Sequence, residues 1–145
     1  MKSLDLLDVN VWLALAHPGH SHHKAAINYW STATAQLAFC RTSMKGFLRL
    51  LTQPAVMREA VHTPAEAWDI YAAYLNSGRV IFLPEPVTTE AQMRSFTTRP
   101  GFRIRDWTDA YLASFAVTAG CRMVSFDSGF KEYETLDFLP LKALV

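Results

Sequence analysis

Four short apolar runs, KSLDLLD (2–8), AQLAFC (35–40), RVIFLP (79–84) and CRMVSF (121–126), recur along the chain with helix-patterned stretches between them. Strands with one wet face alternate apolar and polar residues, whereas strands buried on both faces read as nearly unbroken apolar runs. Runs of the second kind, separated by helices, predict a parallel α/β sheet covered on both faces. LDFLPL (136–141) reads as a last edge strand.

Local signals place the helices. VWLALA follows the first strand at once, and residues 21–35 carry Ala26, Tyr29, Trp30 and Ala33 at helical spacing. TSMKGFLRLL reads as a helix capped by Thr42 or Ser43 and stopped before Pro54. Thr63-Pro64-Ala65-Glu66 combines an N-cap, a proline at the first helical position and a capping-box glutamate. Its stripe is Trp68, Tyr71, Ala72 and Leu75, with Gly78 as the stop. TTEAQMRSF (88–96) reads as a further helix, TTRPGFRIR as a loop, and Thr108 as the cap of a helix ending at Gly120.

Size and composition set the limits. A chain of 145 residues, half of them apolar and 19% charged, is expected to form one domain over 1–145. A net charge of +1 argues against coating duplex nucleic acid, which needs many surplus cations, but leaves room for a local basic patch. Cys40 and Cys121 read as buried thiols of a reduced compartment. No run approaches the roughly 20 apolar residues of a membrane span. Asp5, Asp8 and Asn10 break the apolar stretch that a signal peptide would need. A cytoplasmic protein is expected.

In open parallel sheets, ligands bind beyond the carboxyl ends of the strands. Asp8 ends the first strand, Asp127 follows CRMVSF, and Asp109 opens a helix, so all three are expected on one rim. Each has an ordinary reading: Asp109 as a helix-start acid, Asp127 as a turn residue in SFDSG. Asp8, between two apolar runs, is harder to explain that way. Clustered carboxylates repel one another unless a cation neutralises them, and all-oxygen ligands select Mg²⁺ or Mn²⁺. Such a metal polarises a phosphate oxygen and lowers the pKa of water, which points to phosphodiester hydrolysis or phosphoryl transfer.

Two further clusters stand out. HPGHSHH holds His17, His20, His22 and His23 without a nearby cysteine or acid to complete a zinc pattern. It reads as a polar loop entering a helix, with His17 or His20 close to substrate if the first helix is short. Lys45, Arg49, Arg99, Arg103, Arg105 and Lys131 form a basic set. TRPGFRIRDW mixes arginines with aromatics just before Asp109, a combination suited to single-stranded nucleic acid.

LLDVNVWLALAHPGHSHHKAAINYW, GFLRLL followed by TQPAV, WTDAYLASFA and SFDSGF, in that order, resemble the PIN-domain nucleases, specifically the VapC-type ribonuclease toxins of toxin–antitoxin pairs. The resemblance implies a three-layer α/β/α sandwich with a central, mainly parallel sheet of four to five strands. It implies an Mg²⁺- or Mn²⁺-dependent endoribonuclease, an RNA substrate, a cognate antitoxin and a homodimer. Asp8, Asp109 and Asp127 match the family's acidic positions, Asn10 its polar residue two after the first acid, and Ser125 its hydroxyl residue two before the last. Ser43, Arg49 and Arg105 join Asn10 and Ser125 as expected supporting or substrate-contacting residues.

The family often carries a glutamate where this chain has Met44, and a thioether does not serve Mg²⁺. Three aligned carboxylates suit one metal better than two, unless Asp106, three residues before Asp109, compensates. The same departure defines a rival: a PIN-fold module of weakened or lost catalysis that binds RNA or an antitoxin. A phosphotransfer reading, with Asp8 as nucleophile in a D-x-D-like start, fails on Asn10 where the second acid belongs.

Overall fold

A computed structural model describes residues 3–144. Five strands, β1 (Leu4–Leu7), β2 (Gln36–Phe39), β3 (Val80–Phe82), β4 (Arg122–Ser125) and β5 (Phe138–Pro140), form one sheet in the order β3-β2-β1-β4-β5. Every adjacent pair is parallel. The sheet is therefore wholly parallel, as runs buried on both faces require. Lys2, at the start of the first expected strand, lies outside the described residues.

The helices are α1 (Val9–Ala16), α2 (His23–Thr32), α3 (Arg41–Leu51), α4 (Pro54–Met57), α5 (Pro64–Leu75), α6 (Thr89–Thr97) and α7 (Trp107–Ala119). Side chains alternate across each strand and so feed two cores. Leu7, Leu37, Phe39, Val80 and Val124 meet helices α1 to α5 on one face. Leu6, Ala38 and Met123 meet α6 and α7 on the other. The three-layer sandwich follows directly from that period of two.

Packing near the site is tight. Trp12 of α1 stacks on Phe39 of β2 with ring centroids 3.8 Å apart. Gly46 lets α3 close on α1, because a Cβ there would stand 2.7 Å from Val9 Cγ2. The capping box of α5 is formed: Glu66 N donates to Thr63 Oγ1 (3.2 Å) and Thr63 N to Glu66 Oε1 (2.8 Å). Cys40 and Cys121 are buried free thiols. No helix among the described residues is long and apolar enough to cross a membrane.

Three local expectations change. Helix α3 starts at Arg41 with Cys40 as its N-cap, and Ser43 closes the turn by accepting from Cys40 N at 3.0 Å. Helix α7 starts at Trp107 after Asp106, so Thr108 lies inside it. On α5 the inward face is Ala67 and Tyr71, while Trp68 is 52% exposed. The short α4 and a 3-10 turn at Arg58–Ala60 fill a stretch without a periodic signal.

Candidate active site

The strand order reverses at β1. The chain first builds β2 and β3 on one side, then returns to place β4 and β5 on the other. This switch point opens a crevice at the carboxyl ends of β1 and β4. Asp8 is the residue after β1, and Asp127 follows β4 with only Phe126 between. Asp109 arrives from the first turn of α7. All three line one groove of about 870 Å³, together with Asn10, Thr42, Met44, Lys45, Arg49, Trp68 and Thr108 among others.

Ser125 organises the floor. Its hydroxyl donates to Asp8 Oδ2 at 2.7 Å and accepts from Asp127 N at 2.9 Å and Asn10 Nδ2 at 3.2 Å. Asn10 Oδ1 accepts from Phe126 N at 3.3 Å, tying α1 to the end of β4. Asp8 also caps α1, its Oδ1 accepting from Val9 N at 2.7 Å. Asp127 Oδ1 accepts from Gly129 N at 2.9 Å, which fixes the turn after β4.

The electrostatics are unfavourable for three free carboxylates. Burial holds Asp8 above the ordinary carboxylate range; hydrogen bonds from Ser125 and Val9 oppose this, and the charge of Asp127 adds to it. Asp109 is pushed up to about 7, first by burial and then by the charges of Asp8, Asp127 and Asp106, with a hydrogen bond to Asp127 contributing. A divalent cation would relieve both shifts, and the donor set is all oxygen, as hard cations prefer. Among the described residues no three His, Cys, Asp or Glu side chains stand together at metal-ligand spacing. The donor chemistry of Asp8, Asp109 and Asp127 fits a hard divalent ion.

The other expected residues divide. Arg49 and Lys45 line the acidic groove. Arg105 lies on an adjoining cavity of about 280 Å³ that shares Asp109 and Asp127 with it. Asp106 lines this cavity too, but its carboxylate accepts from Arg103 Nε at 3.0 Å. Arg99 is held by Glu132, with 3.6 Å between charged atoms. Ser43 does not reach the groove: it is fully buried and hydrogen-bonds only to Cys40. Met44 packs in the core, and its sulfur accepts from Arg41 Nη1 at 3.3 Å. Sequence reasoning missed Thr108 and Trp68 as lining residues. Trp68 was read into the apolar stripe of α5, whose buried face is Ala67 and Tyr71.

The PIN-domain profile matches residues 6–136. With the all-parallel sandwich and the acids at its switch point, the chain belongs to the PIN-domain family. Its curated relatives within that family are ribonucleases. It is 41% identical over 134 residues to ribonuclease VapC41 of Mycobacterium tuberculosis, covering 88% of this chain and 92% of that protein. It is 37% identical over 126 residues to ribonuclease VapC38 of the same species, covering 86% and 85%. Among solved structures, VapBC2 from Rickettsia felis, bound to a promoter DNA fragment, superimposes with a TM-score of 0.69 at 11% identity, covering 96% and 99%. The sarcin–ricin-loop-cleaving toxin VapC20 of Mycobacterium tuberculosis does so with a TM-score of 0.68 at 19% identity, covering 94% and 99%. These structures share the fold.

Proposed function

We infer that this chain is the endoribonuclease toxin of a toxin–antitoxin pair, a single PIN-like domain acting on RNA in the cytoplasm. The carrying observation is the convergence of Asp8, Asp109 and Asp127 on one groove at the switch point, and the ribonuclease relatives supply the reaction class. Asp8, Asp109 and Asp127 would hold Mg²⁺ or Mn²⁺, with Asp106 a weaker candidate because Arg103 already pairs it. Such an ion supplies Lewis-acid polarisation of a phosphate oxygen and a water activated for attack on the phosphodiester.

The chain's own groups orient that chemistry. Ser125 and Asn10 fix the Asp8 carboxylate and the backbone leading to Asp127. Lys45 and Arg49 line the groove and Arg105 the adjoining cavity, where they would meet phosphates of the strand. A cognate antitoxin covering the groove, and a homodimer, complete the reading; VapBC complexes among the structural neighbours support the antitoxin. A second reading, a module that binds without cutting, is favoured by Met44, which fills core space where an acid would face the groove.

Purified protein should cleave single-stranded RNA with Mn²⁺ or Mg²⁺, stop in a chelator, and lose cleavage on Asp8→Asn. Cleavage that persists in chelator would refute the metal mechanism. RNA binding without cleavage under any divalent ion would favour the second reading.

A further inference from the structure

The histidine cluster lies outside the acidic groove but beside it. His17, Gly19 and His20 form one wall of a separate cleft of about 530 Å³, and Val56, Met57, Arg58, Glu59 and Ala60 form the other. Leu13 lines both this cleft and the acidic groove, so the two adjoin. Helix α1 sets Asp8 at one end and His17 at the other, nine positions or about 13 Å apart along its axis.

The hydrogen bonds in this turn assign the protons. His20 Nδ1 accepts from His22 N at 3.0 Å, so in the neutral ring the hydrogen sits on Nε2. His17 Nδ1 is buried without a partner. The neutral His20 ring is thereby set as an Nε2–H donor, and His17 brings a second imidazole to the same cleft. Across the cleft, Arg58 is exposed and takes part in none of the ion pairs among the described residues.

Arg58 also has φ 52° and ψ −125°, the one positive φ at a non-glycine among the described residues. Only glycine adopts that conformation freely. Keeping arginine there costs stability, and among the described residues no ion pair or cation–π contact of its guanidinium offsets it. A strained cation outside every ion pair, sharing one cleft with two imidazoles beside a groove for a polyanion, has a clear use.

We propose that His17, His20 and Arg58 form a phosphodiester-binding subsite that holds the RNA strand beyond the acidic groove. The proposal rests on the ribonuclease reading. It assigns these residues a positioning role, with Glu59 as the opposing charge on the same lining.

The test is fluorescence anisotropy with labelled single-stranded RNAs of about four and about twelve nucleotides, long enough in the second case to pass beyond the acids. Calcium, a hard cation, is present to neutralise the carboxylates. Arg58→Gly should raise the melting temperature by about a few degrees by releasing strain. The same variant should weaken binding of the longer RNA about tenfold and flatten its salt slope by about 0.7, the value for one lost phosphate contact on a single strand. Binding of the shorter RNA should not change, and His17→Phe should weaken the longer RNA in the same selective way. A wild type that binds both RNAs, with variants that bind the longer one equally well or weaken both alike, overturns the subsite alone. A wild type that binds neither RNA overturns the ribonuclease reading and the subsite with it.

Discussion

Two aspartates of the first strand region, three residues apart, meet opposite fates. Asp5 lies within β1 at 1% exposure and Asp8 just past its end at 9%. Asp5 is fully answered: Arg122 donates from Nε to Oδ1 at 3.0 Å and from Nη2 to Oδ2 at 2.9 Å, and Tyr29 donates to Oδ2 at 2.6 Å. The fork geometry joins β1 to its neighbour β4 and anchors α2 through Tyr29. Asp8 receives a serine hydroxyl and one backbone N–H, and the charges that act on it and on Asp109 are those of other carboxylates. Burial with a cation makes a structural carboxylate. Burial without one, among other carboxylates, makes a site that calls for a cation from outside.

The largest expected effect separates the two directly. Asp109→Asn should reduce RNA cleavage by more than about a hundredfold, beyond what loss of an outer-shell group does. It should also raise the thermal stability of the metal-free protein, because a repelled carboxylate is gone. Asp5→Asn should do the reverse, costing about 3 kcal/mol by stranding Arg122 and Tyr29. Its specific cleavage rate per folded molecule should be nearly unchanged. Denaturant melts run alongside cleavage rates check both, and a destabilised Asp109→Asn would erase the contrast.

Smaller effects sharpen it. Ser125→Ala should lower activity roughly tenfold, as removal of a supporting hydrogen bond to a ligand does. Cleavage rates across Mn²⁺ concentrations should show part of that loss recovered as the ion is raised. A further effect is on pH. Asp109 has its folded pKa raised to about 7, against 3.8 for the ordinary group. Between those values the native chain takes up a proton that the unfolded chain does not. The metal-free protein should therefore gain stability as pH falls from about 7 towards 4, and lose that increment as pH rises back through 7. Metal binding should change in the opposite sense, weakening below about pH 7 as protons compete. Thermal melts with and without Mn²⁺ across that range measure both.

The layer order was legible because strand residues such as Leu6, Leu7, Met123 and Val124 are apolar on both faces, a pattern few other sheets produce. Asp8, Asp109 and Asp127 were legible as one rim for the same reason: a parallel sheet sends its strand ends and helix starts to one edge. What stayed hidden depends on distant partners or on geometry without periodicity. The pairing of Asp5 with Arg122 spans 117 residues of chain, and Asp5 alone looks like any strand residue. Ser43 looked like a rim hydroxyl, yet helix α3 begins two residues earlier, which turns it inward onto Cys40. Trp68 looked like core, but the stripe of α5 is offset by one residue, and the ring faces the groove instead.

The most direct measurement of the central claim is a calorimetric titration of the purified protein with Mn²⁺ at about pH 8, set beside Asp109→Asn and Asp5→Asn. The account predicts a saturable site in the wild type, its retention in folded Asp5→Asn, and its loss in Asp109→Asn. Equal Mn²⁺ binding by wild type and Asp109→Asn would contradict it.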